Sequence, residues 1–553
     1  MGKLFFGDNL YVLRDEIKNE SVDLIYLDPP FNSKRDYNLL FKTPKGQESD
    51  AQITAFEDTW HWGEQAEREF AEILHQSNTD VSEMIQSFRS FLKESDMMAY
   101  LVMMANRLLE LHRVLKPKGS LYLHCDPTAS HYLKIVLDTV FGAENYLNEI
   151  IWKRSGSHGG AKRWGPLHDT IFFYSKNSNI TWNKVFEKYD ESYLDNFYRF
   201  SDKRGRYRLV TLTGAGTRTG DSGKPWRGVD PTTVGRHWAV PLGALQTIAD
   251  KKTIQKSSTQ RKLDLLDSAG LIYWPLKGSV PQQKRYMDEA EGVSIQDVIT
   301  DILPISSQAA ERLGYPTQKP LALLERIIEA SSNKGDVVLD PFCGCGTAVH
   351  AAQALGREWI GIDITHLAIS LIEKRMRDAF PKIVFEVHGT PMDFEGARNL
   401  AERDKYQFQW WACSLVNAQP YHGKKKGSDG GIDGLIFFQD DNSGVKKIIV
   451  SVKGGEHVSV TMVKDLIATV ERENAAVGLF VTLAEPTRPM TTEAVSARFY
   501  HSPNGDVPKI QILTIADLLS GKAKPQYFDV SAGLHNFKKA KIEEKRADQG
   551  QLL

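Results

Sequence analysis

Four cysteines in 553 residues cannot staple a fold of this size. The close pair, Cys343 and Cys345, lacks the spacing of a zinc knuckle, so reduced thiols and no structural metal are expected. Nowhere do the ~20 consecutive apolar residues of a bilayer span occur, which argues against a membrane protein. Met1 to Asn9 carry no basic segment followed by an apolar run and a small-residue cleavage site, so a cytoplasmic location is expected. Charge of one sign is missing too: 69 Lys and Arg against 70 Asp and Glu give a formal net charge of −1. Only the local distribution of charge can then speak for a polyanionic partner. No internal repeat is visible. At ~100–200 residues per domain, the length calls for at least three modules.

The opening alternates in the manner of an α/β sheet. A strand, Lys3 to Phe6, is followed by Gly7-Asp8 and a short helix, then by the apolar strand Val22 to Leu27, which ends at Asp28-Pro29-Pro30-Phe31. An amphipathic helix over Asp96 to Leu115, a strand over Ser120 to His124, a helix over His131 to Phe141 and a strand over Asn148 to Lys153 continue the pattern. It fails between Ser155 and Leu313, which reads as an inserted module. It resumes with the helix Leu321 to Ser331, the strand Val337 to Leu339, a glycine-rich turn, the helix Thr347 to Leu355 and the strand Trp359 to Ile362. After Phe394 a separate α/β pattern begins, with strands over Gly434 to Phe438, Lys447 to Val452 and Val477 to Thr482. The segments expected are 1–154 and 314–395 as two halves of one sheet, 155–313 inserted between them, 396–535 as a further α/β domain, and a charged tail over 536–553.

Asp340-Pro341-Phe342-Cys343-Gly344-Cys345-Gly346-Thr347 lies between a buried strand and a helix, where glycine allows close backbone approach to a nucleotide-like ligand. The turn has neither the dinucleotide fingerprint nor the phosphate-loop lysine, so no pyrophosphate site is built there. Asp340 instead offers a carboxylate to a cationic group. Asp363, about twenty residues on, is placed for ribose hydroxyls. Sulfonium, amino group and ribose together describe S-adenosylmethionine. A strand-to-helix turn with purely structural glycines has the same look. Asp28-Pro29-Pro30-Phe31 supplies the other half. An exocyclic amine is a poor nucleophile because its lone pair is delocalised, and it needs acceptors that hold its hydrogens. Asp28 gives a carboxylate and Pro29 a carbonyl that the consecutive prolines hold in extended backbone. Phe31 can stack on a base that has left the duplex.

The two motifs together resemble the beta group of DNA amino-methyltransferases, in which the catalytic motif precedes the cofactor motif. Gly7 to Leu10, Asp28 to Asn32, Arg113 to Asp126, Tyr315 to Pro320 and Asp340 to Thr347 carry the likeness over Met1 to Phe394. The resemblance implies a Rossmann-like sheet with an inserted target-recognition module, and double-stranded DNA as partner, with a homodimer as a further expectation. An aspartate before Pro-Pro resembles adenine-N6 enzymes, and cytosine-N4 methylation is the alternative. It implies Asp28, Pro29, Pro30 and Phe31 as catalytic, and Asp8, Thr317, Lys319, Asp340, Phe342, Gly344, Gly346, Thr347 and Asp363 as cofactor contacts.

Between Phe200 and Arg227, basic residues outnumber acids and are interleaved with Tyr207, Trp226 and glycines. Arg204, Arg206, Arg208, Arg218, Trp226 and Arg227 are therefore the expected DNA contacts, since arginine neutralises phosphate and reads guanine edges. A solvated basic face is the plainer alternative. Trp152 to Arg154 and Gly159 to Trp164 are candidates for a loop over the flipped base. Farther on, Gly427 to Gly434 and Ile448 to Lys453 resemble the Mrr-like branch of the restriction-endonuclease fold, which implies Asp433 and Lys453 as nuclease residues and Asp433 as a magnesium ligand. Ser451 stands where that pattern has an acid or glutamine, and a hydroxyl is a poor ligand for a hard cation. Glu456, Glu471 or Asp429 would have to supply the missing carboxylate for Mg2+-dependent cleavage. The alternative is a domain that only binds DNA or a partner. A Rossmann-type oxidoreductase is disfavoured by the absent dinucleotide fingerprint.

Overall fold

The computed structural model describes the chain except residues 31–35, 43–47, 58–60, 77, 157–161, 163, 188, 190, 277–279, 290–291, 307–308, 310, 314, 316, 422–430, 442–443, 532–542 and 544–553. For 36–42, 48–57, 192 and 289 only the backbone is described. Two compact units form: Met1–Asn183 with Gln296–Leu553, and Lys184–Ile295. Among the described residues no helix is long and apolar enough to cross a membrane.

The first unit is built on a nine-stranded sheet. Its order is Val298–Ile299, Tyr146–Lys153, His168–Ser175, Leu115–Cys125, Val22–Leu27, Val337–Asp340, Glu358–Asp363, Gly2–Phe6, Phe385–His388. Pairing is parallel throughout, except that His168–Ser175 runs antiparallel to both its neighbours. The central strands are near-continuous apolar runs because helices cover both faces of a parallel sheet. The helix Asp96–Val114, N-capped by Ser95, is buried almost all round from Met98 to Leu108. From Val22–Leu27 the chain proceeds to one side of the sheet, and from Val337–Asp340 it proceeds to the other. The strand order therefore reverses between these two neighbours, where an open α/β sheet leaves a crevice at its carboxyl ends.

The inserted unit is narrower than the 155–313 expected. His168–Ser175 and Val298–Ile299 belong to the large sheet. His168–Ser175 carries an apolar Ile171-Phe172-Phe173-Tyr174 run whose faces are both covered, so it shows no alternation to betray it. Lys184–Ile295 has its own core of Tyr207, Leu212, Trp226, Trp238, Leu263 and Tyr286 under a four-stranded sheet.

A five-stranded sheet follows, ordered Gln419–Pro420, Gly434–Phe438, Lys446–Lys453, Val477–Thr482, Ile510–Thr514. It is antiparallel on one side of Lys446–Lys453 and parallel on the other. The helices Phe394–Arg403 and Lys405–Leu415 join it to the large sheet. Ala397, Leu400, Phe408 and Trp411 lie in one core cluster with Ile372 and Met376 before them and Val450 and Val481 after.

Candidate active site and its relatives

Four adjacent parallel strands deliver an aspartate to the same edge. In sheet order these are Asp28 after Val22–Leu27, Asp340 ending Val337–Asp340, Asp363 ending Glu358–Asp363, and Asp8 after Gly2–Phe6. They line a cavity of about 310 Å³, with Pro30, Thr317, Lys319, Phe342, Gly344 and Thr347 also in its wall. That size is in the range of small-molecule sites. Of the expected site residues, Pro29 and Gly346 lie outside this lining, and Phe31 falls outside the described residues.

The glycine-rich turn is shaped by left-handed backbone. Gly344 has φ +52° and Gly346 φ +76°, and a Cβ on Gly346 would sit 3.0 Å from Ile372 Cγ1. Asp363 holds the turn: its Oδ2 accepts from the Gly344 amide (2.9 Å) and its Oδ1 from the Thr365 amide (2.9 Å). Burial pushes Asp363 up to about 6. Burial likewise pushes Asp340 well above the usual carboxylate range, against one hydrogen bond from the Phe342 amide. Both carboxyls are poised to ionise when a cationic or hydroxyl-bearing ligand replaces the lost water.

Asp8 has structural work of its own. It accepts from the Leu10 amide (2.9 Å) as the helix cap of Asn9–Glu16 and pairs with Arg107 (2.9 Å). Arg107 also pairs with Glu69 (3.2 Å) and donates to Asn9, which reaches the Pro341 carbonyl. Lys319, expected as a cofactor contact, forms an ion pair with Asp28 Oδ2. Asp28 Oδ1 is buried and has no hydrogen-bond partner among the described residues. One oxygen of Asp28 is thus anchored and the other is a vacant acceptor.

A network beneath Asp28 escaped the sequence reading. Tyr26 Oη lies 2.9 Å from His124 Nδ1, His124 Nε2 3.1 Å from Asp169 Oδ2, and Arg154 Nε 3.1 Å from Asp169 Oδ1. Burial and the nearby Lys319 charge hold His124 neutral at lowered pKa. Burial opposes ionisation of Asp169, but His124, Lys319 and Arg154 outweigh it and its pKa is lowered. The ionised carboxylate takes the Nε2 hydrogen, so the Tyr26 hydroxyl donates to Nδ1. The only sequence signal was that Tyr26 shares a strand face with Asp28.

Within the basic cluster of the inserted unit, one expected DNA contact, Trp226, is a correction. Trp226 is 4% exposed and donates to Asp264, so it is core and not surface. Arg206 pairs with Asp195 (3.0 Å), Arg208 donates to the Tyr193 hydroxyl (2.8 Å), Arg204 lies over the Tyr286 ring, and Arg227 pairs with Asp264 and Asp267. Asp195, Asp264 and Asp267 lie outside the basic stretch and supply the acid partners of Arg206 and Arg227, which a local charge count cannot see. Arg218 is exposed, and its side chain has no partner among the described residues. Of the loop candidates, Trp152 is buried and donates to the Ile302 carbonyl, Arg154 is on Asp169, and Trp164 is 98% exposed; 157–161 and 163 lie outside the described residues.

In the last sheet, Asp433 Oδ2 accepts from the Val452 amide (2.6 Å) and Ser451 Oγ (3.3 Å) and faces Lys453 Nζ at 3.7 Å. Its Oδ1 accepts from Gln409 Nε2 (2.5 Å). The described residues by themselves do not complete a magnesium site. Both Asp433 oxygens are engaged, Ser451 replaces the second acid, and no group of three His, Cys, Asp or Glu among the described residues could hold a metal. Asp429 and Gly427 to Gly430 lie outside the described residues.

Fold and pocket define a Rossmann-like α/β enzyme with a restriction-endonuclease-like α/β sheet at its C-terminal side. The chain belongs to the N6/N4 DNA methylase family, whose profile matches residues 22–374, and a restriction endonuclease family, the Mrr catalytic domain, matches 400–517. Among its relatives, the Type II methyltransferase M.EcaI of Enterobacter cloacae is 34% identical over 278 residues, covering 50% of this chain and 57% of that protein. The Mod subunit of the Type III restriction-modification enzyme StyLTI of Salmonella typhimurium is 25% identical over 367 residues, covering 64% of this chain and 50% of that protein. The chain thus spans about half the length of these relatives. Among solved structures, a DNA modification methylase of Thermus thermophilus complexed with S-adenosyl-L-methionine is 16% identical, covering 70% of this chain and 99% of that one at a TM-score of 0.32.

Proposed function

We propose that the chain methylates an exocyclic amino nitrogen of DNA, adenine N6, from S-adenosylmethionine bound in the four-aspartate pocket. When bound, the cofactor supplies an electrophilic methyl group on a sulfonium. Asp363 takes the ribose hydroxyls, Asp340 the ligand's cationic side, and Phe342 and the glycine turn its adenine. The observation that carries the reading is the divided Asp28 carboxylate, Oδ2 fixed by Lys319 and Oδ1 vacant. A vacant acceptor beside the Pro29 carbonyl suits the two hydrogens of an amino group. As the nitrogen bonds the methyl carbon and the C–S bond breaks, one amino hydrogen must leave, and Asp28 holds it through the transition state. The base reaches the site by leaving the duplex. Incubating DNA with deuteromethyl S-adenosylmethionine and analysing its nucleosides by mass spectrometry tests this. Label in N6-methyladenine is expected, and label in N4-methylcytosine alone would transfer the reading to cytosine.

For the Asp433 sheet the reading is binding without cleavage, because Asp433 has both oxygens engaged within the protein. Plasmid that stays supercoiled with Mg2+ or Mn2+, with methylation intact, is the expected result; nicking that depends on Lys453 would contradict it.

A further inference from the structure

Four neighbouring strands carry a polar chain that the methyl-transfer reading leaves unused. In sheet order, Arg154 follows Tyr146–Lys153, Asp169 lies in His168–Ser175, His124 in Leu115–Cys125 and Tyr26 in Val22–Leu27. Asp169 and His124 are buried, and Arg154 brings the chain out toward solvent. The chain has a direction. The ionised Asp169 carboxylate only accepts, so it takes the hydrogen on His124 Nε2 (3.1 Å); Nδ1 is then a lone pair, and the Tyr26 hydroxyl gives it a hydrogen (2.9 Å). The opposite order would set the Nε2 lone pair against a carboxylate oxygen. Burial, with the charges of Asp28, Asp340 and Asp169, holds the phenol pKa well above its usual value, so Tyr26 keeps that hydrogen.

Tyr26 stands two residues before Asp28, the spacing that returns an extended chain to the same face, and both line the cavity. After burial, the Asp28 charge is the foremost influence on the phenol. A Tyr26 hydroxyl released from His124 would therefore turn to a carboxylate, the stronger kind of acceptor. Yet Asp28 Oδ1 has no hydrogen-bond partner among the described residues. The commitment of Tyr26 to His124 accounts for that vacancy.

We propose that Asp169 is a positioning residue: by fixing the His124 tautomer it turns the Tyr26 hydrogen away from Asp28 and reserves Oδ1 for the amino group of the target base. The inference rests on reading Asp28 as the acceptor for that amino group. In Asp169→Asn the amide keeps its oxygen on Arg154 Nε, which faces Oδ1 at 3.1 Å, and presents its NH2 to His124. Nε2 then accepts, Nδ1 donates to Tyr26, and the phenol hydrogen is released toward Asp28, where the target amino group must displace it. Steady-state methyl transfer by the full chain is expected to show kcat lowered about tenfold or more, with KM for cofactor and for DNA within about twofold. Tyr26→Phe removes the competing hydrogen with the hydroxyl and should lower kcat only about threefold, as for one neutral hydrogen bond; Asp169→Asn added to it should lower kcat no further. Histidine 15N shifts, with His124 assigned by its loss in His124→Phe, should show Nε2–H in the wild type and Nδ1–H in Asp169→Asn, an inversion that a packing defect does not produce. His124→Phe, which removes the acceptor of the phenol hydrogen, should lower kcat as Asp169→Asn does and be rescued by Tyr26→Phe; it is the probe if Asp169→Asn does not fold. An uninverted tautomer, losses that multiply in the double variant, or an inverted tautomer with wild-type kcat would each overturn the proposal. A wild type that transferred no methyl group, or no more than Asp28→Asn, would instead sink the reading of Asp28 itself.

Discussion

Asp28, just past the strand Val22–Leu27, and Asp433, just before Gly434–Phe438, each meet a lysine, Lys319 and Lys453, yet their remaining hydrogen-bonding capacity is used in opposite ways. Asp433 gives both oxygens to its own fold, to Gln409, Val452 and Ser451. Asp28 keeps one buried oxygen without a partner among the described residues, at a cavity. A buried acceptor left unmade costs stability, so a fold retains it where a ligand completes it.

Charge-removing substitutions should separate the two most sharply. Asp28→Asn should lower methyl transfer at least about a thousandfold with cofactor affinity within about threefold, measured by labelled methyl incorporation and calorimetry. Its melting temperature should fall as well, because the substitution removes the charge paired with buried Lys319. Asp433→Ala should do the reverse, leaving methylation near wild type while costing about 2–4 kcal/mol of stability in denaturant unfolding, because three donors lose their acceptor. Loss of methylation in Asp433→Ala with an unchanged melting curve would break the comparison.

Asp363 gives a smaller, pH-dependent effect. Its pKa, raised to about 6 by burial, means that the free protein binds an extra proton between the usual carboxylate range and about pH 6. The stability of the ligand-free protein from this group is therefore greatest at low pH and is lost as pH rises through about 6. Ribose hydroxyls prefer the ionised form, so cofactor affinity should rise roughly tenfold per pH unit up to about 6 and flatten above. Asp363→Asn should remove that slope, and a slope unchanged in the variant would refute the assignment. The smallest contrast lies in the inserted unit. Arg206→Ala should change DNA affinity less than twofold at fixed salt, because Asp195 already neutralises it, while Arg218→Ala should reduce the salt slope by about one.

Much of the sheet was legible because its strands and helices carry clean periods. Leu321–Ser331, Gly434–Phe438 and Val477–Thr482 fall where apolar pattern alone puts them. His168–Ser175 was missed because a strand buried on both faces has no period to read. The expected pocket residues came from two motifs, each of which needed the other, from the next strand end for Asp363, and from the family resemblance for Asp8, Thr317 and Lys319, but their partners did not. That Lys319 would clamp Asp28, that Arg375 would stand behind Thr347, and that Arg206 and Arg227 would be neutralised depend on contacts between residues far apart along the chain. Composition cannot supply those. The same limit hid His124, which reads in sequence as one polar residue in an apolar strand.

The most direct test compares wild type with Asp28→Asn in nucleoside mass spectrometry of DNA exposed to deuteromethyl S-adenosylmethionine. The account predicts labelled N6-methyladenine from the wild type and none above background from a variant that still binds cofactor. Undiminished label from Asp28→Asn would contradict it, because the vacant oxygen would then have no part in the chemistry.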